Sequence, residues 1–145
     1  MEAIIIYSKT GHTLSVAEQL VSRKNMPLLR IIPQIDDPSI PHPILIQKPQ
    51  INDYDHIIVG SPVHGFSLSK VMKAYLEQTD FQGKKADLFV THYFPYAWMG
   101  GNQTLKQMKK LIECKGGIVN MMTSINWSNK KRLSDIADMI HQYTA

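Results

Sequence analysis

The sequence predicts an α/β protein whose core is a five-stranded parallel sheet covered by helices on both faces. Three observations carry that expectation. Short apolar runs alternate along the chain with stretches whose apolar residues recur at three- and four-residue spacing. That is the pattern of strands buried on both faces and joined by crossover helices. Its 145 residues, 43% of them hydrophobic and 19% charged, suffice for a single domain, 1–145, with a full core. No apolar run approaches the ~20 residues that span a bilayer.

The first strand is expected over residues 2–7, through the run Ala3-Ile4-Ile5-Ile6-Tyr7. The helix after it carries Leu14, Ala17, Leu20 and Val21 on one face. A second strand falls at 28–32 and a third at 55–60, the latter followed by a helix through Val71, Met72, Tyr75 and Leu76. The fourth, 86–91, leads to a helix with Leu105, Met108, Leu111 and Ile112. The fifth, 117–122, precedes a closing helix carrying Leu133, Ile136, Ala137, Ile140 and Tyr143. Five strands joined by right-handed crossovers fit the order 2-1-3-4-5. Between residues 33 and 53, Pro33, Pro38, Pro41, Pro43 and Pro49 would break a regular helix, so the second helix is expected to be reduced or absent.

Ser8-Lys9-Thr10-Gly11-His12-Thr13 stands between the first strand and its helix. A strand that turns tightly into a helix leaves the first helical N–H groups unpaired, and the helix dipole adds positive potential there. Together they form an anion site. The hydroxyls of Ser8, Thr10 and Thr13 add donors, and Gly11 allows close approach of the backbone.

Ligands of open parallel sheets bind beyond the carboxyl ends of the strands, where the strand order reverses. Two more segments are expected at that edge. After the third strand comes Gly60-Ser61-Pro62-Val63-His64-Gly65-Phe66, read as a shaped turn because Pro62 fixes φ and Gly65 permits a positive one. After the fourth comes Thr91-His92-Tyr93-Phe94-Pro95-Tyr96-Ala97-Trp98, whose four aromatic rings exceed the needs of a connection. Such rings either plug a core or offer a flat face to a planar ligand.

The first hexapeptide matches the Ser/Thr-x-Thr-Gly-x-Thr phosphate loop of flavodoxins, and Ser61-Pro62-Val63-His64-Gly65 is similar to their Gly-Ser-Pro-Val-Tyr-x-Gly type of segment. The chain therefore resembles the flavodoxin family over most of its length, the proline-rich stretch excepted. The resemblance implies a flavodoxin-like three-layer fold, non-covalently bound FMN and a role in electron transfer. It implies that Ser8, Lys9, Thr10, Gly11, His12 and Thr13 hold phosphate. Ser61, Pro62, Val63, His64 and Gly65 would then border the ribityl chain and ring. Thr91, His92, Tyr93, Phe94 and Tyr96 would border the opposite side. The sequence departs from the family where a small Thr-Ser-Gly-Gly type of turn often follows the fourth strand.

Two other functions remain open at this level. One is an FMN-dependent oxidoreductase acting on a quinone or a porphyrinogen, with His64 or His92 as proton donor. The other is an interaction domain that has kept the fold and lost the flavin. A phosphate-receiver function is excluded, since Tyr7-Ser8 and Gly60-Ser61 stand where it needs acids. A Ser–His–Asp hydrolase is excluded by the lack of Gly-x-Ser-x-Gly.

The single cysteine, Cys114, allows no internal disulfide and is read as a buried or half-buried thiol. The six histidines show no metal-ligand spacing, so no metal is expected. Met1 leads straight into the first strand with no room for a signal peptide, which points to the cytoplasm. The net charge of +4 comes from scattered lysines and speaks for solvated faces rather than nucleic-acid binding. Flavodoxins are commonly acidic, and the three expected ligand segments here contain no Asp or Glu. With Lys9, His12, His64, Lys70 and His92 on the rim, the expected redox partner has an acidic face, or docks by apolar contact with Phe66, Tyr96 and Trp98.

Overall fold

The computed structural model describes residues 1–93 and 100–145. Its centre is a sheet of five parallel strands: β1 (Glu2–Ile6), β2 (Leu28–Arg30), β5 (His56–His64), β7 (Lys85–His92) and β8 (Ile118–Asn126). They lie in the order β2-β1-β5-β7-β8, the order expected from handedness, with the sequence of strand addition reversing between β1 and β5.

Alternate residues of each strand face opposite helical layers. On one side Ile5, Ile57, Val59, Leu88 and Val90 pack against α2 (Lys70–Glu77) and α3 (Gly101–Cys114). On the other side Ile4, Ile6, Ile58 and Phe89 pack against α1 (His12–Arg23) and α4 (Arg132–Tyr143). A side chain such as Leu20 of α1, fully buried, contributes about 2–3 kcal/mol through apolar area removed from water. This burial, more than helix propensity, holds helices of 8–14 residues in place.

The crossover from β2 to β5 contains no helix. Two short strands, β3 (Ile32–Pro33) and β4 (Leu45–Gln47), form an antiparallel ribbon there. The prolines explain it, since each removes an N–H donor and resists the helical conformation. Ile51, 3% exposed, and the hydroxyl of Tyr75, which donates to the Pro49 carbonyl at 2.7 Å, seal this segment onto the face that a helix would cover.

Three strands run further than the sequence indicates. β5 continues through Ser61, Pro62, Val63 and His64, and pairs with β6 (Ser67–Leu68) as a hairpin. The segment read as a turn is therefore mostly strand. β7 extends through His92, and β8 ends at Asn126 rather than at 122. Pro62 is tolerated because β1 pairs with β5 only as far as Gly60, so at Pro62 the strand is paired with β7 alone. Among the described residues no helix is long and apolar enough to cross a membrane.

Candidate functional site

Short connections bring four strand ends together at the carboxyl edge. The first is the turn from β1 into α1. Gly11, at φ 96, takes a left-handed conformation that a residue with a Cβ adopts only under strain. Ser8 is buried beneath the turn, and its Oγ accepts from the amides of Gly11 and Leu14, both at 3.2 Å. Its hydroxyl is thus a cap for the helix start that retains its own proton for a further acceptor. The amides of Thr10, His12 and Thr13 make no hydrogen bond among the described residues. Three unpaired N–H groups, with the positive end of α1 behind them, form a cradle for an anion.

The side chains of this turn divide by exposure. Thr10 and Lys9 are exposed, and Thr13 is 1% exposed. The Thr13 hydroxyl shares a hydrogen bond of 2.9 Å with that of Thr91 at the end of β7, so it ties two strand ends together. The Lys9 ammonium turns aside to donate to the Asp36 carbonyl at 2.6 Å, and the Tyr7 hydroxyl donates to the Asp36 carboxylate at 2.5 Å. Asp36 comes from the proline-rich crossover. The ligand edge is therefore not free of acids, although its three expected segments are.

The second wall is the β5–β6 hairpin. Gly65 and Phe66 have φ 55 and 66, positive values at both central residues, which suit the tight hairpin turns that match strand twist. For Phe66 that conformation is strained, and the ring stands half exposed at the tip. A Cβ at Gly100, φ 126, would lie 2.7 Å from the Phe66 Cα, so only glycine lets the start of α3 close against the hairpin. Ser61 is completely buried, and its hydroxyl lies 3.2 Å from that of Ser69, which caps α2 by accepting from the Met72 amide. It supports the hairpin from below. His64 meets the Tyr7 ring edge-on at 5.9 Å between centroids. Burial, then the nearby Lys9 charge, hold its imidazole below the ordinary value, against a smaller opposing pull from Asp36.

The third wall begins with Thr91 and His92, 3% and 5% exposed at the end of β7. His92 therefore lies beneath the rim on which it was expected. Tyr93 is exposed and tilts against His12 at 5.2 Å. Phe94, Tyr96 and Trp98 lie outside the described residues.

Trp127 was not singled out in the sequence. β8 runs four residues beyond its expected end and delivers Trp127 to the ligand edge, where its amide donates to the His92 carbonyl at 2.7 Å. The indole stacks on His12 at 4.2 Å with 14° between the planes, and the Arg132 guanidinium lies over the indole ring, 4.8 Å from its centroid. Burial and the Arg132 charge keep His12 below its ordinary pKa. An aromatic residue just past a strand's carboxyl end was the available signal. Cys114 is exposed, which corrects the expectation of a buried thiol. It ends α3 on the side of that helix turned from the core. Among the described residues no group of three His, Cys, Asp or Glu side chains is arranged to hold a metal ion.

No protein-family model and no curated protein matches the sequence. Solved structures do match. A Bacteroides uniformis protein, provisionally assigned as a flavoprotein, superposes with a TM-score of 0.72 at 16% identity over 99% of this chain and 96% of that one. A Lactobacillus acidophilus flavoprotein in complex with FMN gives 0.69 at 17% identity, over 94% and 96%. Oxidised flavodoxin 2 of Bacillus cereus gives 0.67 at 17% identity, over 99% and 98%. The order of the sheet and these superpositions agree: the chain has the flavodoxin-like fold.

Proposed function

We propose that this protein binds FMN and transfers electrons. The observation that carries the reading is the cradle of unpaired amides at Thr10, His12 and Thr13, set at the switch point of the sheet. The similar Lactobacillus acidophilus protein in complex with FMN supports the choice of ligand. The chain's residues fit the group: backbone N–H donors, two threonine hydroxyls and the Ser8 proton suit a terminal phosphate, and the hairpin and Tyr93 offer apolar surface to a planar ring. When bound, the flavin supplies the redox chemistry.

The chain's own part is to bind and orient. Thr10, Gly11, His12 and Thr13 would hold the phosphate, with Lys9 at the rim. Val63, His64, Gly65 and Phe66 would border one edge of the ring, and Tyr93 the other. Thr91 positions Thr13 through the shared hydrogen bond. Lys9 is anchored by Asp36 at the edge of the turn.

The test is a titration of the purified chain with FMN and with riboflavin, followed by flavin fluorescence. Thr10→Ala is expected to weaken FMN about ten- to a hundredfold, the equivalent of ~1.5–3 kcal/mol for a hydrogen bond to a charged phosphate. Riboflavin, which has no phosphate, should be little affected. Equal losses for the two ligands, or no uptake of either, overturn the reading. Steady oxidation of NAD(P)H by the isolated chain with a quinone would identify an enzyme instead of a carrier.

A further inference from the structure

We propose that the groove between α2 and α3 docks an acidic, apolar-anchored segment of a protein partner. The groove has a volume of about 370 Å³. Leu68 and Leu111 give it an apolar floor, and Lys70, Lys73 and Lys110 stand around it, with Cys114 at one end. Lys106 and Lys109 extend the positive face into an adjoining depression along α3, which Glu113 also lines. None of the five ammonium groups makes a hydrogen bond or an ion pair among the described residues, although the Lys70 charge acts on the Asp37 carboxylate.

Like charges neighbour one another along both helices, with Glu77 four residues from Lys73 and Glu113 four from Lys109 as the opposing charges. Lys70 and Lys73 are three apart on α2, and Lys106 and Lys110 are four apart on α3, with Lys109 three from Lys106. Residues so spaced are neighbours on a helix surface, and like charges there repel. An external anionic partner removes that repulsion. The apolar floor argues for carboxylates carried on a protein segment with a buried anchor, since a phosphate backbone has nothing to place against Leu68 and Leu111.

Continuity supplies the second argument. Ser67 and Leu68, which line the groove, form β6 of the hairpin whose tip carries half-exposed Phe66. A partner seated in the groove lies beside the wall proposed to border the flavin. The proposal takes from the electron-transfer reading only that the chain has a protein partner. Complementary charge of this kind speeds encounter and is screened over about 8 Å at physiological salt.

The test uses the full chain without flavin and a synthetic helical peptide rich in Glu, with Leu at every third or fourth position. Amide chemical shifts are expected to move at residues 66–73 and 106–114. Alkylation of Cys114 should slow as the peptide saturates the protein. Lys70→Glu with Lys73→Glu and Lys110→Glu should weaken the peptide by about tenfold or more at low salt, with circular dichroism unchanged. The same reversal at Lys130 and Lys131, outside the groove, should have little effect. The groove is overturned if shifts fall elsewhere, if a peptide with Ser for Leu binds equally well, or if single-stranded RNA displaces the peptide at equal charge concentration. Because flavin is absent, loss of the peptide with FMN uptake intact refutes the groove alone. Peptide binding without FMN uptake refutes the flavin reading alone.

Discussion

At the amino end of the sheet, Glu2 of β1, His56 of β5 and Asp87 of β7 are bound in one row. At the carboxyl end the turn after β1 presents three amides that make no hydrogen bond among the described residues. The His56 imidazole bridges the two carboxylates, with Nδ1 2.6 Å from Glu2 and Nε2 2.6 Å from Asp87. Asp87 is 2% exposed and also accepts from the Met121 amide, while Lys24 pairs with Glu2 at 2.5 Å. Each charge in that row is answered by another. Opposite it, the amides of Thr10, His12 and Thr13 are unanswered among the described residues, and Phe66 is held in a strained conformation. The difference separates two uses of polar groups. Paired, they lock the register of adjacent strands; unpaired at a convergent edge, they are donors kept ready for a ligand.

The strongest way to break the comparison is to open the row. His56→Ala removes the imidazole that bridges two carboxylates and leaves buried Asp87 with one amide donor. It should cost about 3 kcal/mol of folding stability, measured by denaturant unfolding. FMN affinity of the folded fraction should not change. A large loss of FMN affinity would show that the two ends are coupled.

Gly100→Ala probes the other end. Its Cβ would fall 2.7 Å from the Phe66 Cα at a φ of 126, so the hairpin must shift. A cost of about 2 kcal/mol is expected, from backbone strain and displaced packing. Here the loss of flavin affinity should exceed that of His56→Ala, as read by the same titration. The reverse ranking would remove the hairpin from the site.

The pH dependence of stability sharpens the contrast with a smaller effect. The hydrogen bond to Asp87 raises the His56 pKa most strongly, burial opposes it, and Glu2 adds to the rise. A raised folded value means stability fully present below the ordinary 6.5 and lost as pH climbs through the folded value. For Glu2, burial alone would raise the pKa, but hydrogen bonds from Lys24 and His56 bring it below the ordinary 4.5. Its contribution is present above 4.5 and is lost as pH falls through the folded value. Melting temperature should therefore be highest between those two values and decline on both sides. In His56→Ala the alkaline decline should be shallower. An unchanged alkaline slope would mean that His56 is not the proton-linked group.

Much of this architecture is legible in the sequence. Ile4, Ile5 and Ile6 could only be a strand buried on both faces, and the helical spacing of Val71, Met72, Tyr75 and Leu76 assigned α2 to a layer. The prolines between 33 and 53 announced a crossover without a helix. Ser8 to Thr13 marked a candidate anion turn because a strand, a glycine and a helix start are contiguous in the chain. These are local signals, and periodicity, φ restriction and hydrogen-bonding capacity act over a few residues.

What the tertiary structure decided is where distant residues meet. Ser61 to His64 look like a turn because Pro62 argues against a strand, yet pairing with Ser67 and Leu68 across the hairpin makes them one. Trp127 lies 115 positions from His12, and only the added length of β8 brings the two rings into a stack. Asp36 reaches Tyr7 and Lys9 through the folding-back of the proline-rich segment, and His56 finds Asp87 because β5 and β7 are neighbours in register. Such partners are set by strand order and register, which sum burial over the whole sheet. No window of sequence contains that sum, so the elements could be read from the chain while the contacts that complete the site and close the opposite end could not.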